Sequence, residues 1–110
     1  MIEDTLAKME KAIRQAGSAD PKHRKELIRL LEALKAELGA LSSAHGEKAH
    51  SIAGFAEVAA YEAARHGRSV ELIEIASEGL SASVADFETT HPQLTVVVNE
   101  ICTLLAGLGI

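Results

Sequence analysis

The chain has 110 residues, of which 47% are hydrophobic and only 3% aromatic, and its formal net charge is −5. This acidic balance argues against nucleic-acid binding, which depends on clustered Lys and Arg to neutralise phosphates. Small aliphatic side chains must fill the core, and because each contributes little burial energy, we expect the core to gain from self-association. The single cysteine excludes an internal disulfide and a thiolate metal cage.

The N-terminal part is predicted to form a helical hairpin over residues 1–41. Apolar residues spaced at steps of four and three return to one face of a helix, and here they predict helices over residues 2–16 and 21–41. Between the two segments, Asp20 is suited to cap a helix and Pro21 to occupy its first position, where no N–H is needed. A connection this short makes the two helices antiparallel.

After a short break, the spacing predicts one long helix over residues 46–89 with an inward row made mainly of alanines. The stretch 66–69 leaves two interpretations open. A glycine inside a helix costs only about 1 kcal/mol relative to alanine. The apolar face also resumes in nearly the same phase at Val70, which favours a continuous helix with at most a kink at Gly67. The alternative is a boundary at which Ser69 caps a new helix.

The clearest boundary is Thr90-His91-Pro92-Gln93, which has the form of a capping box with a proline in the first turn. It begins a C-terminal helix predicted over residues 92–107, although Thr95 to Val98 has the composition of a strand. The fold class is therefore predicted to be all-α, with a single domain over residues 1–110. In it, the hairpin packs with the long and C-terminal helices of residues 42–110 as an antiparallel bundle that oligomerisation completes.

The predicted helix 21–41 carries an apolar face wider than one antiparallel neighbour covers. A helix over 46–89 would be ~60 Å long at 1.5 Å per residue and would leave apolar surface bare in one chain. We therefore expect a homo-oligomer, most simply a two-fold dimer, with a monomeric four-helix bundle as the alternative. The predicted oligomer face consists of six leucines: Leu27, Leu30, Leu31, Leu34, Leu38 and Leu41.

The sequence contains Glu-x-x-His twice, at Glu47–His50 and at Glu88–His91. Di-iron carboxylate bundles place two such motifs inside long helices, together with further glutamates. Pro92 sets the second motif at a helix junction, where its two side chains do not share a helical face. We therefore expect no metal site and no cofactor. His50 is interpreted as a residue of a polar face and His91 as part of the cap of the last helix.

No polar cluster in the sequence combines the groups that nucleophilic or acid–base catalysis requires, and we expect a protein that is not an enzyme. Glu62 and His66 are spaced as a helical pair and are interpreted as a surface ion pair. Cys102 lies in the last apolar row beside Ile101 and Leu105. It is expected to be a buried, unreactive thiol in a reducing compartment.

Two charged segments are interpreted as solvated faces. One is the basic run Lys22 to Lys25, and the other is the acidic stripe of Glu71, Glu74 and Glu78. The alternative is that the two meet across a subunit interface, or that the basic run binds an acidic partner.

The chain is expected to be cytoplasmic. Its N-terminus is acidic and amphipathic, unlike a signal peptide. The most apolar stretch, residues 94–110, is interrupted by Asn99 and Glu100 and is shorter than the ~20 residues that span a bilayer.

Several stretches of the chain resemble a family of short bacterial proteins known as domain of unknown function 4404. The resemblance is carried by Met1 to Leu6, the Asp20-Pro21 turn, Ser51 to Ala56, His91 to Leu94, Asn99 to Cys102 and Leu108 to Ile110. It implies a bacterial, cytoplasmic, all-helical protein with no established activity, and it supplies no catalytic residues.

We therefore expect a helical protein that acts through protein–protein interaction and self-association. Its expected partners are a second copy of itself and an unknown protein, with no nucleic acid and no membrane. The alternative is a small-molecule or metal-binding bundle that uses Glu47, His50 and nearby carboxylates.

Overall fold

The computed structural model describes residues 7, 8, 10, 11, 21–64 and 69–108. Within these ranges the chain is all-α, as predicted, and the strand-like stretch 95–98 is helical. The helices are α1 (Pro21–Ser42), α2 (Gly46–Ala64), α3 (Val70–Ser83) and α4 (Pro92–Leu108), with a 3-10 helix at Ala85–Phe87 before α4. Residues 7, 8, 10 and 11 have helical backbone, and the rest of the predicted helix 2–16 lies outside the described residues.

The four helices form a ring in which each packs against its neighbours in chain order and α4 closes on α1. A short turn joins α1 to α2, and the Leu41 carbonyl accepts the N–H of His45 at 2.9 Å there. Arg29 of α1 approaches Glu100 of α4 at 3.8 Å. The ring of His45, just after α1, lies beside that of His91, just before α4. These contacts make α1 and α4 antiparallel, so the helices alternate in direction as in an up-and-down bundle.

The core is a single cluster of mainly aliphatic side chains contributed by all four helices, with Phe87 added from the 3-10 helix. The predicted leucine row of α1 and the alanine row of α2 are buried, and so are the apolar rows of α3 and α4. Small side chains such as Ala49, Ala56 and Ala60 let a neighbouring helix approach closely, and α2 makes its most extensive contact with α3. Fully burying one leucine of α1 is worth roughly 1.5–3 kcal/mol.

The prediction of one helix over 46–89 is wrong at two points. Helix α2 ends at Ala64. Ser69 then has extended backbone (φ −102°, ψ 114°), and its Oγ accepts the N–H of Leu72 at 3.2 Å. Ser69 is thus the cap of a new helix, which was the alternative interpretation. Helix α3 ends at Ser83 and is followed by the 3-10 helix and a turn over 88–90. As a result, α3 folds back on α2, and the bare ~60 Å helix that suggested an oligomer does not form.

Helix α4 begins at Pro92, as predicted, but the cap is one residue later than the capping box places it. The carbonyl of His91 accepts the N–H of Thr95 at 3.4 Å, so His91 is the residue before the first turn. Thr90 Oγ1 lies 3.0 Å from Nδ1 of His91. His91 therefore occupies the cap position of α4, and its ring contacts the Thr90 hydroxyl. The Asp20 cap lies outside the described residues.

The predicted oligomer face is covered within one chain. Its members are at most 2% exposed: Leu27, Leu30, Leu31, Leu34, Leu38 and Leu41. The physical cause is simple, since α2 and α4 pack on both sides of α1 and these leucines keep almost no free surface. A homo-oligomer stays a prediction, but its contact surface must lie elsewhere. In the described part of the chain, no helix combines the length and the apolar character needed to cross a membrane.

Candidate interaction surface

The outer side of the α2–α3 hairpin exposes a group of large apolar side chains. We call this surface the α2–α3 outer face and define it by Phe55, Val58, Tyr61, Leu72 and Ile75, which are 41–61% exposed. Two other large apolar residues of the described chain are exposed to a similar degree, Val70 and Val96, and Val96 lies on a different helix, α4. The α2–α3 outer face therefore concentrates most of the exposed large apolar side chains of the described residues.

The register of the hairpin sets these side chains at matching levels along α2 and α3. Lys48 Nζ lies 3.5 Å from Asp86 Oδ2 at one end. Seven residues further along α2, the Phe55 ring lies against Gly79, which is seven residues before Asp86. Helices α2 and α3 are therefore antiparallel, and the two contacts are about two helical turns apart on each of them. The same register sets Val58 level with Ile75, and Leu72 level with the turn of α2 that contains Tyr61.

Below the α2–α3 outer face, toward the Lys48–Asp86 end, the two helices border an open groove of about 340 Å³. Lys48 and Ser51 line it on one side, and Ala82 and Asp86 on the other. Phe55 and Gly79 form its upper end, so that the groove continues directly into the apolar face. Together they make one continuous depression along the hairpin.

An acidic stripe borders the face on α3. Glu71, Glu74 and Glu78 are all exposed. Glu71 precedes Ile75 by four residues and Glu78 follows it by three, so both are its immediate neighbours on the helix surface. The predicted solvent exposure of these carboxylates is confirmed. A molecule that packs on Ile75 therefore meets negative charge along one edge.

Positive charge is scarce beside this face. In helices α2 and α3, as described, Lys48 is the one Lys or Arg side chain. Its ammonium pairs with Asp86 and lies 5.4 Å from the centre of the Phe87 ring. Arg65 and Arg68, in the connection, lie outside the described residues. The acidic stripe thus has no cationic neighbour within the two helices that carry the face.

The residues of the Glu-x-x-His motifs lie on different elements. Glu47 and His50 are exposed on the first turns of α2, which confirms the interpretation of His50 as a polar-face residue. Glu88 is exposed in the turn after the 3-10 helix, and His91 precedes α4. Among the described residues, no three His, Cys, Asp or Glu side chains are grouped so that they could hold a metal ion.

A ring cluster that the sequence did not predict joins His45, Phe87 and His91. The Phe87 ring centre is 5.4 Å from that of His45 and 5.3 Å from that of His91, and both pairs meet edge to face. His45 lies far in sequence from Phe87 and His91, so no spacing rule could group its ring with theirs. Edge-to-face packing is favourable between aromatic rings, and the cluster fastens the α1–α2 turn to the start of α4.

A second open groove, of about 480 Å³, lies between α1 and α4. Leu30, Val96 and Leu104 contribute apolar surface to it, and Glu26 and Glu100 carry its charge. Arg29 donates hydrogen bonds to both carboxylate oxygens of Glu26. This bonding holds the pKa of Glu26 below its ordinary value and raises the pKa of Arg29. Both carboxylates of the groove thus have Arg29 as a neighbouring cation.

Two sequence expectations about single residues need correction. Glu62, predicted to be part of a surface ion pair, is buried at 8% exposure, and His66 lies outside the described residues. Cys102 is half-buried rather than buried, and its Sγ donates to the Ser77 carbonyl at 3.5 Å. Burial raises the pKa of the Cys102 thiol.

The described residues form a small up-and-down four-helix bundle in which the α2–α3 outer face is bordered by carboxylates. The chain belongs to the family described as Domain of unknown function (DUF4404), whose model matches residues 2–110. Comparisons with curated proteins and with solved structures gave no match. The resemblance seen in the sequence is therefore confirmed over almost the whole chain.

Proposed function

We propose that this protein is not an enzyme and acts by protein–protein contact, with the α2–α3 outer face as its binding surface. The observation that carries the proposal is that five large apolar side chains, 41–61% exposed, lie on neighbouring turns of one hairpin. Single exposed apolar side chains are ordinary on any protein. A contiguous apolar patch with polar borders is typical of an interaction site.

The shape of the surface also favours a macromolecular partner over a small molecule. Pockets that bind small molecules are concave and bury most of the ligand. The depression along α2 and α3 is open to solvent and continues from Lys48 past Phe55. An elongated partner segment fits such a surface better than a compact ligand does.

A second copy of the chain is the competing occupant. The leucines of α1 are buried, so a dimer would use the α2–α3 outer face instead. Pairing that face with itself would bring the carboxylates of two acidic stripes into one interface. Like charges across an interface oppose association, so we place a different protein ahead of a second copy.

The test compares three forms of the full chain: wild type, Val58→Gln/Ile75→Gln, and the matched control Val96→Gln. Val96 is 47% exposed, which is similar to the 50% exposure of Val58, but it lies on α4. Each form is immobilised and exposed to a lysate of the source organism. Proteins retained by the wild type and the control, but not by the face variant, are identified by mass spectrometry. Each is then purified and its affinity measured directly.

We expect a purified partner to lose at least about tenfold in affinity with the face variant, because each glutamine amide buried against an apolar surface costs about 1–3 kcal/mol. The control is expected to bind as the wild type does. Thermal unfolding must show that all three forms are equally folded. Partners that bind the face variant as tightly as the wild type would refute the proposal. Light scattering provides a second readout. If the wild type and the control have the mass of a dimer and the face variant has the mass of a monomer, the occupant of the face is a second copy of the chain and not another protein.

A further inference from the structure

We infer that the segment bound by the α2–α3 outer face is a cationic amphipathic helix of another protein. This inference rests on the proposed function and names the chemistry of the partner. It is carried by two features that lie side by side. One is the α2–α3 outer face, and the other is the acidic stripe along α3.

The groove and the α2–α3 outer face together have the length of a helix of about four turns. From the Lys48–Asp86 pair to the Phe55–Gly79 contact the hairpin advances seven residues, and the same step again reaches the level of Leu72. Fourteen residues of helix span about 21 Å at 1.5 Å per residue. An amphipathic helix of that length, with apolar residues at steps of three and four, would lay its anchors along the groove and the α2–α3 outer face as in other helix-in-groove complexes.

The acidic stripe determines which side chains the partner helix carries beside its apolar anchors. Glu71, Glu74 and Glu78 are exposed along the edge of the α2–α3 outer face next to Ile75. A helix docked on Ile75 presents the residues that flank its apolar face to this edge. Lys or Arg at those positions would be attracted, and Asp or Glu would be repelled. The partner helix is therefore basic on the flank that faces α3.

A second copy of this chain does not supply such a helix from its described residues. Helix α1 begins with the basic run Lys22 to Lys25, of which Lys22 and Lys25 are exposed. The apolar side chains of α1 that would have to anchor it are in the core, with Leu27 and Leu31 at most 2% exposed. Releasing them would open the bundle. The basic run can offer charge but no apolar anchors, so α1 of a second copy is not the helix that binds.

The inference is tested with synthetic probes, because the natural partner is unidentified. Three fluorescein-labelled helical peptides of 18 residues carry leucine at steps of three and four. Their remaining positions are lysine in the first, glutamine in the second and glutamate in the third. Fluorescence anisotropy measures the binding of each peptide to the full chain. The variants are Glu71→Gln/Glu74→Gln/Glu78→Gln, Val58→Gln/Ile75→Gln and the control Val96→Gln.

We expect the lysine peptide to bind the wild type most tightly and the glutamate peptide least. Neutralising the three glutamates is expected to weaken the lysine peptide by about tenfold, because exposed ion pairs contribute modestly and add up. It should leave the glutamine peptide unchanged. Raising the salt concentration should weaken the lysine peptide alone, since exposed charges are screened. The face variant should weaken both the lysine and the glutamine peptides, and Val96→Gln neither.

Three other outcomes would refute the inference without refuting the proposed function. If the glutamine peptide binds as tightly as the lysine peptide and both depend on Val58 and Ile75, the cationic partner is refuted while the interaction surface stands. If no peptide depends on Val58 and Ile75, the helix-binding inference fails. In that case the proposed function is decided separately, by the comparison of purified natural partners. Binding of the lysine peptide that depends on the three glutamates but not on Val58 and Ile75 would also refute the inference.

Discussion

Replacing Gly79 by alanine tests the α2–α3 register on which the α2–α3 outer face depends. An added Cβ would lie 2.5 Å from Cδ1 of Phe55 and 3.1 Å from its Cζ, and closer still to Cε1. These separations are too short for carbon atoms in contact, so the ring must move outward. An ordinary Gly→Ala change within a helix has the opposite tendency and stabilises it by about 1 kcal/mol.

The magnitude follows from the exposure of the ring. Phe55 is 41% exposed, so somewhat more than half of its surface is buried in the native structure. Fully burying a phenylalanine is worth roughly 1.5–3 kcal/mol, and displacing this ring therefore costs about 1–2 kcal/mol. Offset against the gain in helix propensity, Gly79→Ala should range from no effect to a loss of about 1 kcal/mol in the free energy of unfolding.

The assay is a double-mutant cycle by urea denaturation, with wild type, Gly79→Ala, Phe55→Ala and the combined variant. Without the ring, the three closest contacts of the added Cβ are gone, and the alanine at position 79 should stabilise the protein by about 1 kcal/mol. The coupling free energy between the two sites is then about 1–2 kcal/mol. If Gly79→Ala stabilises the wild type and the Phe55→Ala protein equally, the ring does not lie on Gly79. The register would then be wrong.

Three further predictions concern the core, a helix cap and the thiol. Leu34→Ala should reduce the free energy of unfolding by about 2–5 kcal/mol in urea; an equal loss from Leu72→Ala, at an exposed position, would contradict the assigned core. Ser69→Ala should cost about 1 kcal/mol and Ser69→Asp much less, because the Ser69 side chain caps α3; equal losses would argue against the cap. Burial raises the pKa of Cys102, so a disulfide reagent should react more slowly with native than with unfolded protein. The reaction rate of the native protein should still be rising at a pH above about 8.5, the ordinary pKa of a cysteine thiol. Identical rates and pH profiles for native and unfolded protein would contradict this.

The positions of three helix starts were readable from local sequence because the signals are local. Pro21 and Pro92 fix the backbone angle of a first helical turn and remove an N–H that would lack a partner, and α1 and α4 begin there. The rows of apolar residues identified the buried face of each described helix for a similar reason, since a helix has one period whatever it packs against. The predicted break before residue 46 is also present.

The break at Ser69 was not decided by local sequence, because the local free energies nearly balance. A glycine in a helix costs about 1 kcal/mol, and a serine cap returns a similar amount. What tips the balance is tertiary packing. Folding α3 back on α2 buries Ile73, Ala76 and Leu80 against the alanine row of α2, which a continuous helix could not do.

The sequence by itself determined that this chain is all-α and which side of each described helix is apolar, because helical period and capping are properties of neighbouring residues. It did not determine which apolar surface stays exposed. The leucines of α1, the widest apolar face in the sequence, are covered by α2 and α4, while Val58 and Ile75 remain in solvent. Exposure depends on which helices pack together, and contacts between segments far apart in the chain leave no periodic signature in the sequence.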